Sequence, residues 1–243
     1  MSDMITQIGS KLTDLATEFN VVAHNLSNSN TIGFKRRVNS FARSLAVQGV
    51  GMQAANGDEI NLRTTYDFTQ GNMRITGRSL DFALHGKGFF MLETPEGPLY
   101  TRNGAFALDE NGQIVDSSGR IVAGESGAIS VPNTISILDL KVGTDGNILA
   151  NGAAIGKFKL VDFKENEEDL MAVGASCFKA PEGVVGEEAE KLIVKQGFQE
   201  QSNVKLVEEL VDMIMVSRLY EANMKFIAVK RDVSKSLMSV ANS

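Results

Sequence analysis

The sequence predicts a mainly β protein with α-helical termini. Long N- and C-terminal helices form a coiled-coil-like pair, and a central antiparallel β domain lies between them. Three observations carry this prediction. Apolar residues recur every three or four positions at both ends of the 243-residue chain. The middle abandons that rhythm for short apolar runs. Pairs of turn-forming residues containing Gly separate those runs.

At the N-terminus the stripe is Ile5, Ile8, Leu12, Leu15, Phe19, Val22 and Leu26. Spacings of three and four put these side chains on one face of a helix, as in an a/d seam. No Pro interrupts the stretch, and a helix from about Asp3 to Asn28 would be about 39 Å long. The C-terminal stripe is Leu206, Leu210, Met213, Ser217, Tyr220, Met224 and Ile227, with Asn203 placed to cap its start. Acids come early in this helix (Glu208, Glu209, Asp212) and bases late (Lys225, Lys230, Arg231, Lys235), which suits the helix dipole. Two such stripes at opposite ends of one chain are expected to pair with each other, with neighbouring copies, or with both.

The middle holds the turn signals Glu96-Gly97, Asn111-Gly112, Ser118-Gly119, Asp145-Gly146 and Asn151-Gly152. Between them, Phe89–Leu92, Ile114–Val115, Ile135–Leu138 and Phe158–Val161 read as strands of a barrel or sandwich. The predicted organisation is a helix with an Asn-rich motif over 1–37, a linker over 38–70, a β domain over 71–200 and a helix over 201–243.

Composition narrows the functional classes. Hydrophobic residues make up 43% and charged residues 22%, an ordinary balance for a globular chain. The net charge of −6 argues against nucleic-acid binding, and the one short basic patch is Lys35, Arg36 and Arg37. No apolar run is long enough to span a membrane. The N-terminus lacks the basic and apolar regions of a cleavable signal peptide, so work outside the cytoplasm requires another export route.

A search for chemistry finds no catalytic constellation. His24 and His85 have no ligand cluster around them, and Cys177 stands alone, which excludes an internal disulfide and a zinc site. Gly86-Lys87-Gly88 lacks the spacing of a phosphate loop. Asp109-Glu110-Asn111-Gly112 lacks the later ligands of a calcium loop and reads as a hairpin turn. No cofactor, no metal and no enzymatic activity are expected.

The end of the first helix reads Val22-Ala23-His24-Asn25-Leu26-Ser27-Asn28-Ser29-Asn30-Thr31-Ile32-Gly33-Phe34-Lys35. Asn residues bond to nearby backbone, Gly33 supplies a helix stop, and Phe34 anchors the departing chain. This run strongly resembles the signature of bacterial flagellar rod and hook proteins. Two further blocks share the likeness. One is Gly71 to Phe90 followed by Tyr100-Thr101-Arg102-Asn103-Gly104-Ala105-Phe106, and the other runs from Gln196-Gly197-Phe198 and Glu200 through Ser202-Asn203-Val204 to Lys225. His24 departs from the family's usual Asn. The compact β domain and short linker look more like the proximal-rod subtype than the distal-rod or hook type.

The resemblance implies a structural subunit of the flagellar basal-body rod that self-assembles through its terminal helices into a torque-transmitting shaft. It implies export by the flagellar type III apparatus and partners among itself, other rod proteins and envelope ring proteins. Asn25, Asn28, Gly33, Phe34 and Asn203 join the two stripes as expected subunit-interaction residues. A different class, an envelope-binding module with its β domain on a helical stalk, would instead need a discrete concave site and a stable small oligomer.

Overall fold

A computed structural model describes residues 2–39, 64–164 and 166–241, and the side chains of these from 8 to 233. Residues 40–63, most of the expected linker, lie outside the described residues, as does the side chain of Ile5. The chain is mainly β with a helix at each end: α1 spans Ser2–Ser27 and α2 spans Leu206–Ala241. It divides into two compact units. One holds α1, α2, residues 37–39 and Thr64, and the other holds Asn28–Arg36 and Thr65–Asn203.

The second unit is built on antiparallel pairing throughout. Its largest sheet runs in the order Met171–Gly174, Cys177–Lys179, Leu99–Thr101, Phe89–Glu93, Ile121–Gly124, Ile114–Val115 and Ala107–Leu108. Leu160–Asp162 adds to Phe89–Glu93, and Gly127–Ala128 adds to Ile121–Gly124. A three-stranded meander holds Leu140–Val142, Asn147–Ala150 and Ala153–Lys157. Its tight turn places Asn151 at φ 50° and Gly152 at φ 84°, the left-handed pair that a two-residue hairpin requires.

Alternation along Phe89–Glu93 divides the interior. Phe90 and Leu92 point into a large core with Phe82, Phe106, Ile114, Ile148 and Phe158. Phe89 points the other way, into a second cluster with Tyr100, Val161, Phe163 and Phe178. The rings meet edge to face, as Phe82–Phe158 and Phe90–Phe106 do at 5.1 Å between centroids, the arrangement the ring quadrupole favours.

Local departures from the expected strands have local causes. Ile135–Leu138 is no strand, because Ile137–Asp139 forms a 3₁₀ turn capped by the Ser136 side chain, which accepts from the Leu138 N–H. The run Phe158–Val161 is broken: Phe158 makes one isolated bridge to Gly124, and regular pairing starts at Leu160. Asp109 Oδ1 accepts from the N–H groups of Asn111 and Gln113, so the acidic run is the turn of a hairpin.

Cys177 is buried, accepts a contact from Arg120 Nη2 at 3.1 Å, and is pushed by burial above the usual thiol range. The thiolate is the reactive form. The folded protein is therefore expected to resist an aromatic disulfide reagent at neutral pH and to react fully once unfolded in guanidinium. Prompt labelling of the folded chain would contradict this placement.

Candidate assembly site

The three sequence blocks that carry the family likeness converge on one buried carboxylate. Glu200 sits in the last strand before α2, Phe198–Glu200, which pairs with Met73–Ile75. Its Oε1 accepts from Lys35 Nζ at 2.8 Å and from the Gly71 N–H at 2.9 Å. Arg102 Nη1 approaches Oε2 at 3.5 Å. Lys35, Arg102 and Glu200 are all at most 1% exposed. Carbonyls complete the shell: Lys35 Nζ donates to Thr69 O at 2.7 Å and Arg102 Nη2 to Gly86 O at 2.7 Å. The Arg102 guanidinium also lies over the Phe89 ring.

Burial pushes the Lys35 ammonium below the usual lysine range, and the Glu200 charge opposes that shift. The cluster is a latch. It fastens the segment that leaves α1 to the strand that leads into α2.

Backbone contacts tighten it. The Gly33 N–H donates to Glu200 O at 2.8 Å. Gly33 has φ +66°, and a Cβ there would lie 2.4 Å from Asn103 N. Phe34 is buried beside it. Asn203 does not cap α2, which starts three residues later. Its Oδ1 instead accepts from the Arg36 N–H at 2.7 Å, and its Nδ2 donates to Asp67 O at 2.7 Å. Gly33 likewise does not itself end α1. The helix stops at Ser27, and a turn in which Thr31 bonds Asn28 follows.

In the other unit, Asn25 pairs with the Arg37 backbone like a strand residue, donating to its carbonyl at 2.9 Å and accepting from its N–H at 2.8 Å. Asn25 Nδ2 also reaches Glu209 Oε2 at 3.2 Å, and both side chains are buried. This places the end of α1 beside the start of α2. Further along, Leu15 and Phe19 of α1 face Val216 and Tyr220 of α2, so the two helices run antiparallel.

The helices meet on faces that take in part of each expected stripe. On α1 Val21, Val22 and Asn25 are buried; Ile8, Leu12, Leu15 and Leu26 are half-buried; Phe19 is 38% exposed. On α2 the covered line is Glu209, Met213, Val216, Asn223 and Ile227, while Leu206, Leu210, Tyr220 and Met224 are exposed. The expectation of one apolar stripe on α2 is incomplete, because Val207, Val211, Ile214, Met215, Leu219, Phe226, Val229 and Val233 are exposed as well. A helix apolar on several faces is suited to burial on several sides.

Residues 83–150 match the family model described as the flagellar hook protein FlgE/F/G D1 domain, and residues 195–240 match the flagellar basal body rod FlgEFG protein C-terminal model. Among curated relatives, the flagellar basal-body rod protein FlgG of Buchnera aphidicola from Acyrthosiphon pisum is 31% identical, covering 90% of this chain and 92% of that protein. FlgG of Borreliella burgdorferi is 31% identical with 94% of each covered. FlgF of Escherichia coli K12 is 32% identical with 86% of each covered. The chain belongs to the flagellar basal-body rod protein family.

It is thus a structural, non-enzymatic rod protein of the bacterial flagellar basal body. Among the described residues of this rod protein, no helix is long and apolar enough to cross a membrane, and no group of three His, Cys, Asp or Glu side chains is placed to hold a metal. His24, half-buried, has its imidazole pushed below the usual range by burial and by Arg37.

Sequence reasoning overlooked the role of Glu200 and Arg102, although both lie inside the quoted blocks. The blocks hold many charged residues, and nothing local in them marks Lys35, Arg102 and Glu200 as the three that meet.

Proposed function

We propose that this rod protein self-assembles through α1 and α2 into a helical shaft that transmits torque across the cell envelope. In this reading α1 and α2 form a coiled-coil-like pair on the inside of the shaft, and the β domain over 71–200 forms the wall around it. Neighbouring copies and other rod proteins supply the contacts that cover the helices. The subunit leaves through the flagellar type III export apparatus and passes the envelope rings. The interaction residues are the two stripes, Ile5, Ile8, Leu12, Leu15, Phe19, Val22 and Leu26 with Leu206, Leu210, Met213, Tyr220, Met224 and Ile227. Asn25, Asn28, Gly33, Phe34 and Asn203 join the stripes as interaction residues.

The observation that supports this most is the contrast between the two units. The β-rich unit buries most of its large aromatic residues, whereas α2 leaves most of its apolar side chains open. Apolar area is worth about 25 cal/mol per Å² when removed from water, so α2 gains most by being covered. Head-to-tail contacts that do not close into a ring produce a helical tube from such surfaces.

The test introduces a charge on each stripe. Leu15→Asp and Leu210→Asp are each expected to abolish swimming and incorporation into basal bodies, while thermal unfolding of the β-rich unit stays within about 2 °C of the parent. Normal swimming and incorporation by both variants would refute the reading.

A further inference from the structure

The β-rich unit carries an aliphatic knob and, elsewhere, a surface that suits it. The knob is Val185, 84% exposed. Its neighbours hold it outward. Val184 packs into the aromatic cluster around Phe89, and Gly186 lies so close to Val161 that a Cβ there would sit 1.9 Å from its Cγ1. The strand Glu187–Glu188 then pairs with Leu160–Asp162. Acids surround the knob. Glu182, Glu187, Glu188 and Glu190 are all exposed, and of these Glu187 meets Lys164 and Glu188 meets Lys157.

The surface is assembled from two turns that one amide ties together. Gln196 Nε2 donates to Ser79 O at 2.8 Å and to Leu140 O at 2.9 Å. This sets residues 75–79 beside the 3₁₀ turn Ile137–Asp139. Both segments expose an apolar side chain, Ile75 at 74% and Leu138 at 83%. Ile75 lies opposite Phe198, whose ring carries Lys195 Nζ at 5.8 Å. The charged residues of 75–79, 137–141 and 195–198 are Arg78, Lys141 and Lys195 against Asp139, the opposite balance to the loop.

Arg78 is the centre of that surface. Its Nη1 lies 3.4 Å from Asp81 Oδ1, yet its side chain is 63% exposed. Asp81 is fully buried, and among the described residues neither of its carboxylate oxygens receives a hydrogen bond. The backbone fixes the pair, because the Asp81 N–H donates to Arg78 O and the Asp81 carbonyl accepts from the Gly197 N–H. An ion pair with one exposed partner adds little to the stability of a subunit, and a buried carboxylate without donors subtracts from it. What the arrangement does achieve is to fix one edge of a planar guanidinium and leave its other donors for a carboxylate from outside.

Knob and surface cannot meet within one chain. Val184 roots the loop in the cluster on the Phe89 side of the strand Phe89–Glu93, whereas Leu80 and Leu140 root the surface in the large core on the other side. We infer that the Val185 loop of one copy docks on the surface of Ile75, Arg78 and Leu138 of a second copy, with Arg78 receiving carboxylates of the loop. Knob against knob would bring acids together, and surface against surface would bring bases together, whereas knob on surface pairs them. The two patches differ, so the contact is heterologous and propagates from copy to copy. It uses neither terminal helix. The inference rests on the assembly reading above and adds a contact between β-rich units.

The test uses the full chain in flagellated cells. Leu138→Cys and Val185→Cys are placed together in one chain whose native Cys177 is buried. A mild oxidant is expected to give dimers and higher multimers in that chain, and none in either single variant. Motile cells that carry the double variant and yield no multimers would overturn the inference while leaving the assembly reading intact. Multimers from Val185→Cys alone would also overturn it, by showing knob against knob.

A second measurement serves if the cysteines impair swimming. A carbodiimide joins a lysine to a carboxylate in contact with it. In basal bodies purified from unaltered cells it is expected to link Lys141 or Lys195 to Glu182, Glu188 or Glu190, acids on the far side of the same chain. A linkage map that lacks every such pair would rule the contact out.

Discussion

Replacing Glu200 with Gln is expected to lower the thermal midpoint of the β-rich unit by roughly 6–20 °C. The substitution keeps the shape of the side chain and removes its charge. Lys35 and Arg102, both fully buried, then lose the carboxylate that pairs with them, and breaking a buried pair from one side costs about 3–5 kcal/mol. The shorter contact, Lys35 Nζ to Oε1 at 2.8 Å, carries most of the loss, since Arg102 stands at 3.5 Å and keeps its carbonyl partners. The matched control is Glu208→Gln. It disrupts the Lys205–Glu208 contact at 3.0 Å between side chains that are 73% and 64% exposed, and it should leave the midpoint unchanged. Scanning calorimetry of the two variants against the parent decides the matter. A Glu200→Gln midpoint indistinguishable from that of Glu208→Gln would mean that the latch contributes nothing to stability.

The second large effect is expected from Gly33→Ala. Two independent penalties fall on this position. The backbone sits at φ +66°, where an L side chain costs about 1–2 kcal/mol. The new methyl group would also lie 2.4 Å from Asn103 N and 2.7 Å from Arg102 C, both main-chain atoms that cannot rotate away. Moving packed backbone typically costs about 1–3 kcal/mol more. A combined loss of roughly 2–5 kcal/mol should appear as a lower denaturant midpoint with an unchanged slope. Gly9→Ala is the contrast, because nothing lies within 4 Å of a Cβ there and the residue is inside α1. It should be neutral or slightly stabilising through helix propensity. Equal midpoints for the two variants would remove Gly33 from the latch.

These two experiments separate what the latch does from what the helices do. Glu200 and Gly33 are placed in the β-rich unit, whereas the Leu15→Asp and Leu210→Asp variants test the proposed association. A variant at Glu200 that still folds at low temperature is expected to assemble there, so temperature-dependent swimming would link the two effects in one cell.

The helices were legible because their signal is local. Spacing of Leu12, Leu15, Phe19 and Val22 depends only on 3.6 residues per turn, and it predicted Asp3 to Asn28 against an observed Ser2–Ser27. Hairpin turns such as Asn151-Gly152 were legible for a similar reason, since the left-handed conformation restricts which residues fit. Strand limits were less so. Ile135–Leu138 is apolar enough for a strand, but the Ser136 hydroxyl offers the backbone a tighter turn, and a short apolar run does not reveal that competition.

The sequence by itself determined the helical ends, the β middle, the absence of a recognisable catalytic constellation and, through its three motif blocks, the family. The tertiary structure alone decided which charges meet and which helix faces close. Lys35, Arg102 and Glu200 are separated by 67 and 98 positions, and no periodicity links residues so far apart. Their pairing follows from how Phe198–Glu200 lies against Met73–Ile75 and brings three blocks to one point. The same holds for α2. Its sequence contains several apolar stripes, and the buried Asn25–Glu209 bond helps to set which of them turns toward α1 and which stay exposed.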